Sequence, residues 1–353
     1  MKQRNFEFLC AAMLGFGQLC VWVGYDSESF ILESVIYSLH EKNSDIDEHA
    51  GYYGQAVIFA AFMFTCIFAP SILNITTPKA LLVFSAISYT MFPMGFLFFN
   101  IYFYYFTAVL LGIGIALLFM GMGAYLSQHS TRETIESNVS ISWAIACCCL
   151  MVSACIFTGY TTFSPHPKQD DLSQKRYSER EIRILFGIYT GISSIAIVLF
   201  GVMPSKNVEN SLAESEKKMG FMDSLKLTCS TIKSPKLFPL LPLTILGGFN
   251  VSFWLSIFPT AMNFTKANSN LIYIQAVFGL GAGLGEVFTG SFVSAMSKRV
   301  KGFGLKPTML IGTISVIIYC SLVFISTPFE APMRPTSEKS IWIGQRWDGK
   351  LKN

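Results

Sequence analysis

Nine long stretches of mostly apolar residues restrict what this sequence can fold into. They run near residues 6–34, 52–75, 79–99, 101–127, 138–162, 184–203, 237–262, 271–296 and 308–327. A helix needs about 20 mostly apolar residues to cross the hydrocarbon core of a bilayer. In lipid, every backbone N–H and C=O must be paired within its own segment or within a closed barrel. The stretches are too long and too evenly apolar for barrel strands. The sequence therefore predicts an all-α, polytopic membrane helix bundle of about nine spans.

Composition excludes a water-soluble protein. Hydrophobic residues make up 52% of the chain and charged residues 14%, whereas soluble domains carry about 25% charged residues. The net charge of +4 is spread along the chain, and no basic block suggests a nucleic-acid partner. The expected partner is the lipid bilayer.

No catalytic, cofactor or metal motif is present, so we expect neither an enzyme nor a cofactor. The four histidines lie in predicted loops, and none forms a recognisable set with a Cys or Ser. The triplet Cys147-Cys148-Cys149 could be a metal or palmitoyl site. Neighbouring residues on a helix point in different directions, so small packing residues are the favoured interpretation.

Basic residues are divided unequally between the loops, and this division predicts the orientation. One side holds Lys2, Arg4, Lys79, Arg132, the lysines from Lys206 to Lys236, and the cluster Lys298, Arg299, Lys301 and Lys306. The other side holds the acidic loop 41–48 and the mixed loop 163–183. The basic residues of loop 163–183 argue against placing this side outside the cytosol. We expect the first side, with the N-terminus, to be cytosolic. The sequence leaves the plasma membrane and internal membranes as alternatives.

A polar segment divides the spans into six plus three. We expect an N-terminal six-helix half at 1–203, a cytosolic linker at 204–236, three helices at 237–328 and a polar extracytosolic tail at 329–353. Within the linker, Met222, Leu225, Cys229 and Ile232 fall on one helical face. This pattern predicts an amphipathic helix on the inner leaflet, and a flexible tether is the alternative.

Several motifs carry a family resemblance. Spans four and five contain Leu111-Gly112-Ile113-Gly114, Gly123-Ala124-Tyr125-Leu126 and Trp143-Ala144, and span seven contains Gly248-Phe249-Asn250. Span eight reads Gly279-Leu280-Gly281-Ala282-Gly283-Leu284-Gly285-Glu286, and Ser297-Lys298-Arg299 follows. Over most of residues 5–335 the chain resembles the Unc-ninety-three-like branch of the major facilitator superfamily, nearest to the major-facilitator-domain-containing-eleven-like members.

The resemblance implies a bundle of major facilitator type with two six-helix halves. It also implies a function among presumed solute transporters, accessory subunits of ion channels, and escorts of membrane receptors. A complete member has a dozen spans, so we expect this chain to lack the last three helices, as a splice form, a fragment or an incomplete gene model.

Glu286 is the first candidate for a functional site. Ionisable residues inside a bilayer are costly and are functional candidates by default. Glu286 lies about 15 residues into the eighth stretch, well inside the membrane. It could be a proton or cation site facing a central cavity, or a structural carboxylate that is hydrogen-bonded between helices or paired with basic residues at the cytosolic end.

Three further carboxylates lie near the end of the first stretch. Asp26, Glu28 and Glu33 could form an outer vestibule that attracts cations. Asp26 lies roughly 30 Å along the helix axis, which would place it at the outer interface. Ordinary solvation of a helix end is the favoured interpretation.

The cytosolic basic loop and one sequon complete the candidates. Lys298, Arg299, Lys301 and Lys306 could latch a conformational gate, or serve as a topology signal that contacts anionic lipid. Asn263-Phe264-Thr265 is a glycosylation candidate on the predicted outer side.

Two functional hypotheses follow from the sequence. The first is an orphan transporter of a small solute, with Glu286 on its cavity. The second is a non-transporting accessory subunit or trafficking partner that binds another membrane protein, such as a channel or a receptor.

Nine spans place the two termini on opposite sides of the membrane. We expect a tag after Asn353 to be reached by antibody in intact cells, and a tag before Met1 to be reached only after permeabilisation. A cytosolic C-terminal tag would mean that a span is miscounted or that the topology is inverted.

Overall fold

The computed structural model is a bundle of helices joined by short connections. It describes residues 3–163, 177–206, 208–215, 219–268, 271, 273–300, 303 and 305–341. Within these residues it contains no strand, and a single bridge pairs Thr265 with Thr336. The helices are α1 Gln3–Ser29, α2 Leu32–His40, α3 Ala50–Ile75, α4 Pro78–Met94, α5 Ile101–Gln128, α6 Ile135–Ala146, α7 Cys149–Phe163, α8 Glu179–Val202, α9 Phe221–Ile232, α10 Leu241–Ser252, α11 Phe258–Phe264, α12 Ile274–Arg299 and α13 Leu305–Ser326.

The prediction of an all-α, polytopic membrane bundle is confirmed. Among the described residues, eight helical segments reach 18 residues and are apolar enough to cross a membrane. Two of them combine shorter elements, namely α6 with α7, and α10 with α11 through a π-helical turn at Phe253–Ile257. Helix α4 covers the remaining predicted span but has 17 residues. Each of the nine apolar stretches therefore coincides with one helix or with two consecutive helices.

The two ends of the bundle are named after the chain segments that lie at them. The end that carries residues 203–236 is called the linker end, and the end that carries residues 41–49 is called the loop end. Helix α1 begins at the linker end, where Gln3 Nε2 donates to the Glu209 carbonyl at 3.2 Å. Helix α4 also begins there, and Lys79 Nζ donates to the Met203 carbonyl at 2.9 Å.

The first predicted span, 6–34, consists of two helices. Helix α1 ends at Ser29, and α2 begins at Leu32, after the buried pair Phe30 and Ile31. Ser and Asp side chains offer the backbone alternatives to helical hydrogen bonds, and this break follows the segment Asp26-Ser27-Glu28-Ser29. Glu33 therefore belongs to a different helix from Asp26.

Glycines set the close packing of the N-terminal half. A methyl group at Gly17 would lie 2.0 Å from a ring carbon of Phe200, and one at Gly24 would lie 2.5 Å from Ser193 Oγ. Small residues of this kind let membrane helices approach closely. The two pairs also fix the antiparallel register of α1 and α8.

The two halves meet towards the loop end. The rings of Tyr37 and Phe264 lie 5.4 Å apart, and Asn263 Nδ2 donates to the Phe30 carbonyl at 3.4 Å. Further along α12, Gly283 packs on Met151 and Leu150 of α7. The described side chains of α12 beyond Gly283 are exposed or partly exposed. The contact between the halves thus weakens towards the linker end.

The linker contains a helix at the predicted position. Helix α9 packs against α3, with Ser224 buried and Leu225 partly buried. Met222, Cys229 and Ile232 of the predicted apolar face are exposed. An exposed apolar stripe suits contact with a leaflet, so the inner-leaflet assignment stays a prediction. Residues 164–176 of the mixed loop and residues 342–353 of the tail lie outside the described residues.

Gly112 offers a test of the packing between α3 and α5. A methyl group there would lie 2.3 Å from the Ile58 carbonyl and 2.7 Å from Ala61 Cβ. We expect Gly112→Ala to destabilise the protein by about 1–3 kcal/mol through overpacking, measured as a lower melting temperature in detergent. Gly191→Ala is the control, because its added methyl meets nothing within 4 Å. Equal melting temperatures of Gly112→Ala and Gly191→Ala would contradict the close packing of α3 against α5.

Candidate functional site

Three carboxylates form a row between the halves. Glu286 of α12 contacts the Cys147 thiol at the break between α6 and α7. Asp26 of α1 accepts a hydrogen bond from Cys149 Sγ at 3.4 Å. Glu286 and Asp26 lie close enough for their charges to interact, and so do Asp26 and Glu28. The structure thus brings together three residues that the sequence predicted at two separate places.

Access to solvent falls along this row. Glu286 is exposed and Asp26 is half-buried, whereas Glu28 is only 1% exposed. None of the three pairs with a described Lys, Arg or His. The row therefore leads from the space between the halves into the interior of the N-terminal half.

The row lies at the middle depth of the bundle. Glu286 lies 12 residues into the 26-residue helix α12, about 18 Å along its axis. Cys149, which contacts Asp26, lies midway along the segment Ile135–Phe163. The placement of Asp26 at the outer interface is therefore wrong. It assumed that the helix begins at the membrane surface, whereas the first turn of α1 lies beside the linker.

Glu28 is buried against α8. The register set by Gly17–Phe200 and Gly24–Ser193 places Glu28 opposite Tyr189, and the charge of Glu28 acts on that tyrosine. Glu28 Oε2, Tyr189 Oη and Ser193 Oγ are all buried without a hydrogen-bond partner. Glu28 is therefore not a solvated residue at a helix end, because protein encloses its side chain.

The cysteine triplet contributes thiols to this row. All three cysteines are free, and the described residues contain no group of His, Cys, Asp and Glu that could hold a metal. Cys147 and Cys149 touch the carboxylates, while Cys148 Sγ donates to the Ala144 carbonyl at 3.4 Å. The triplet therefore lines the space between the halves, which goes beyond the packing role favoured from sequence.

Glu33 belongs to a separate cluster at the loop end. Its Oε2 accepts a hydrogen bond from the Tyr52 N–H at 2.9 Å, and its Oε1 lies 3.3 Å from His49 Nδ1. Tyr52 Oη donates to the Pro332 carbonyl at 2.6 Å. Glu33 thus orients a residue that ties the N-terminal half to the segment after α13. Glu33 is 2% exposed, so solvation does not describe it either.

The other candidates lie apart from the row. Arg299 and Lys306 are exposed, and Lys298 lies in the last turn of α12. Lys301 lies outside the described residues. Asn263 is buried, and its Oδ1 accepts a hydrogen bond from Gln275 Nε2 at 2.8 Å. The folded chain therefore leaves no accessible acceptor nitrogen at this sequon.

Several polar residues of the interior were not predicted from the sequence. Gln55 links α1 to α3, because it accepts from Tyr25 Oη at 3.3 Å and donates to Ser29 Oγ at 3.2 Å. Glu7 is 3% exposed and accepts a hydrogen bond from Thr134 Oγ1 at 2.5 Å. A Gln or Glu inside an apolar stretch was the available signal.

Comparison with known proteins identifies the class of this fold. The structure resembles the crystal structure of a D-xylose–proton symporter, with a TM-score of 0.58 over 90% of this chain and 75% of that chain, at 12% identity. It also resembles the inward-open conformation of the xylose transporter XylE from E. coli, with a TM-score of 0.55 over 88% and 73% of the two chains, at 14% identity. The protein is thus a multi-pass membrane bundle with the fold of major facilitator transporters.

Sequence comparison identifies the family. The family model for UNC-93, described as an ion channel regulatory protein, matches residues 41–346, so the chain belongs to the UNC-93 family. It is 23% identical to the UNC93-like protein MFSD11 of Xenopus tropicalis over 94% of this chain and 75% of that protein. The corresponding protein of Xenopus laevis is 22% identical over 96% and 76%. The family resemblance given by the sequence motifs is confirmed.

The Glu33 cluster predicts a pH dependence of stability. Burial raises the pKa of Glu33 from 4.5 to about 7, against the opposing effect of hydrogen bonds from His49 and Tyr52. The folded state then binds this proton more tightly than the unfolded state, so stability is present below about pH 4.5 and falls as the pH rises towards 7. We expect the melting temperature to fall over this range, and Glu33→Gln to flatten the fall.

Asp45→Asn is the control for this measurement, because Asp45 is an exposed carboxylate in the same loop. It should leave the pH profile unchanged. An identical slope in the wild type and in Glu33→Gln would show that Glu33 does not titrate in this range.

Proposed function

We propose that this protein carries a small solute across the membrane, and that the row Glu286, Asp26 and Glu28 couples the movement to protons. The observation that carries the proposal is the exposed carboxylate of Glu286 at middle depth, facing the thiol of Cys147. Family and fold belong to transporters and regulatory membrane proteins, and the solute step is our inference.

The environment of Glu286 supports an aqueous gap. A carboxylate that faces hydrocarbon is costly, and such residues normally face a bundle interior or a water-filled cavity. Glu286 faces the N-terminal half, where Asp26 and Cys147 lie. Transporters of this fold bind their substrates near the midplane, between two halves. The position of Glu286 suits such a binding space.

The chemistry of the row supports protons as the coupling ion. A buried ionised carboxylate needs a partner, because its desolvation costs several kcal/mol. The three carboxylates have no basic partner among the described residues. Protonation neutralises each in turn, and the falling exposure from Glu286 to Glu28 gives the proton a direction of entry. The similar xylose transporter is itself described as a proton symporter.

A specific observation favours a second candidate, an accessory subunit of a channel or receptor. Helices α10, α12 and α13 expose large apolar side chains, including Phe249, Phe288 and Ile245. Lipid covers such a surface adequately, but a partner helix would also cover it and would enclose Glu286. The description of the matching family as ion channel regulators agrees with this alternative.

We also propose that the linker end faces the cytosol. Lys79, Arg132 and Lys206 lie at this end, together with Arg299 and Lys306, and basic residues accumulate in cytosolic loops. In this orientation α9 lies at the inner leaflet, and the described part of the tail is extracytosolic.

A proton-flux assay tests the transporter proposal. The purified chain is reconstituted into vesicles that contain a pH-sensitive dye, and a panel of small solutes is added outside. We expect at least one solute to change the internal pH with wild-type protein, and Glu286→Gln to abolish that change because its side chain cannot carry a proton. Glu136→Gln, an exposed change on α6, should leave the flux intact.

Two results would oppose the proposal. Flux that persists in Glu286→Gln between about pH 5 and about pH 8 would exclude Glu286 as the proton site. No flux with any solute, together with a membrane protein that co-purifies with the wild type in equal amount, would favour the accessory-subunit candidate.

A further inference from the structure

The space between the halves is lined by aromatic rings as well as by carboxylates. Trp22 of α1 and Trp143 of α6 pack edge to face, with ring centroids 5.3 Å apart. Trp143 is 49% exposed and Trp22 is partly exposed, although both lie within membrane-spanning segments. These two residues are called the tryptophan pair, and the proposed proton row does not include them.

The tryptophan pair lies directly beside the carboxylates. Trp22 precedes Asp26 by four residues on α1, and Trp143 precedes Cys147 by four residues at the end of α6. Residues four apart share one face of a helix, and Cys147 contacts Glu286. The two rings therefore lie about one helical turn closer to the linker end than the carboxylates do.

Other aromatic rings lie on the opposite side of the carboxylates, towards the loop end. Phe30 follows Asp26 by four residues and packs edge to face on Phe278 of α12, with ring centroids 5.1 Å apart. Its ring centroid also lies 6.2 Å from that of Trp254. The carboxylates thus have aromatic rings on both sides along the axis of the bundle.

The charge around this space is negative. Asp26 and Glu286 lie close enough for their charges to interact, and neither pairs with a described Lys, Arg or His. On α1, α6, α7 and α12 the basic residues are Arg4, Lys298 and Arg299. They lie in the first turn of α1 and the last turn of α12, roughly 18 Å or more along the helix axes from the carboxylates. Such a space attracts cations and repels anions.

This combination of groups suits one class of solute. A carboxylate without a basic partner at this depth needs a cation or a proton to offset its desolvation. Tryptophan attracts a cation that lies within about 6 Å of its ring face more strongly than the other aromatic side chains do. A hard metal ion takes oxygen ligands, so it would leave the rings unused. An ammonium group on an apolar body uses both the carboxylates and the rings.

We propose that the transported solute is an organic cation, with its ammonium group at Asp26 and Glu286 and its apolar body against the tryptophan pair. This inference rests on the proposed function for the position of the site, and it adds the chemical class of the solute.

Three compounds with the same aromatic body test the preference for positive charge. They are 2-phenylethylammonium, the neutral 2-phenylethanol and the anion phenylacetate, compared at about pH 7.5, where the amine is protonated and the acid is ionised. Equilibrium dialysis of each radiolabelled compound against the purified chain in detergent measures binding, with protein-free micelles as the blank. We expect 2-phenylethylammonium to bind at least about tenfold more tightly than 2-phenylethanol, and phenylacetate to bind more weakly than either.

Two variants locate the binding. Glu286→Gln removes a charge with little change of shape, and it should weaken the binding of 2-phenylethylammonium by about tenfold while leaving that of 2-phenylethanol unchanged. Trp143→Leu removes the exposed ring and should weaken the binding of 2-phenylethylammonium by about threefold or more. Glu48→Gln and Phe106→Leu are the matched controls, because Glu48 is exposed at the loop end and Phe106 is exposed on α5. We expect both controls to bind as the wild type does.

The outcome separates this inference from the transport proposal, because binding needs no flux. Selective binding of 2-phenylethylammonium without flux would support the class of ligand and oppose transport. Flux of a neutral solute, with no preference for 2-phenylethylammonium over 2-phenylethanol, would support transport and overturn this inference. Equal binding of the three compounds to the wild type, or binding of none, would also overturn it, and that comparison needs no variant to fold.

Discussion

The cost of placing a charge in hydrocarbon governs this structure. Nearly all of its spans are apolar, so the few ionisable groups at membrane depth must be neutralised, hydrated or enclosed. Glu286 is exposed between the halves, Asp26 is half-buried against a thiol, and Glu28 is enclosed by α8. Three positions in one row thus meet the same cost in three ways. The proposed proton path rests on that gradation.

The same constraint explains what the sequence could predict. Apolar length identifies the spans because lipid forces each backbone to pair within its own helix, and a glutamate in such a span is visible without a structure. The depth of Asp26 was not predictable, because composition does not state where α1 enters the membrane. The burial of Glu28 against α8 was not predictable either. Glu28 lies opposite Tyr189 only through a register set by Gly17 and Gly24, and no local pattern encodes that register.

The two ends of the bundle differ in how they are held. At the loop end, Tyr52 connects the halves through the Pro332 carbonyl, and Glu33 orients Tyr52. At the linker end, the described linker residues are tied to α1 and α5 of the N-terminal half. Among the described residues, the hydrogen bond between Tyr52 and the Pro332 carbonyl therefore places a tie between the halves at the loop end.

The central claim is that the space around Glu286 contains water. The most direct measurement is the reaction of single-cysteine variants with a charged, membrane-impermeant thiol reagent, using the purified chain in lipid nanodiscs. Cys147 touches Glu286, Cys66 is exposed on the apolar wall of α3, and Cys229 is exposed on the linker helix. We expect Cys147 to react as Cys229 does while Cys66 stays unmodified. A Cys147 as unreactive as Cys66 would contradict it, because the carboxylate row would then have no aqueous access.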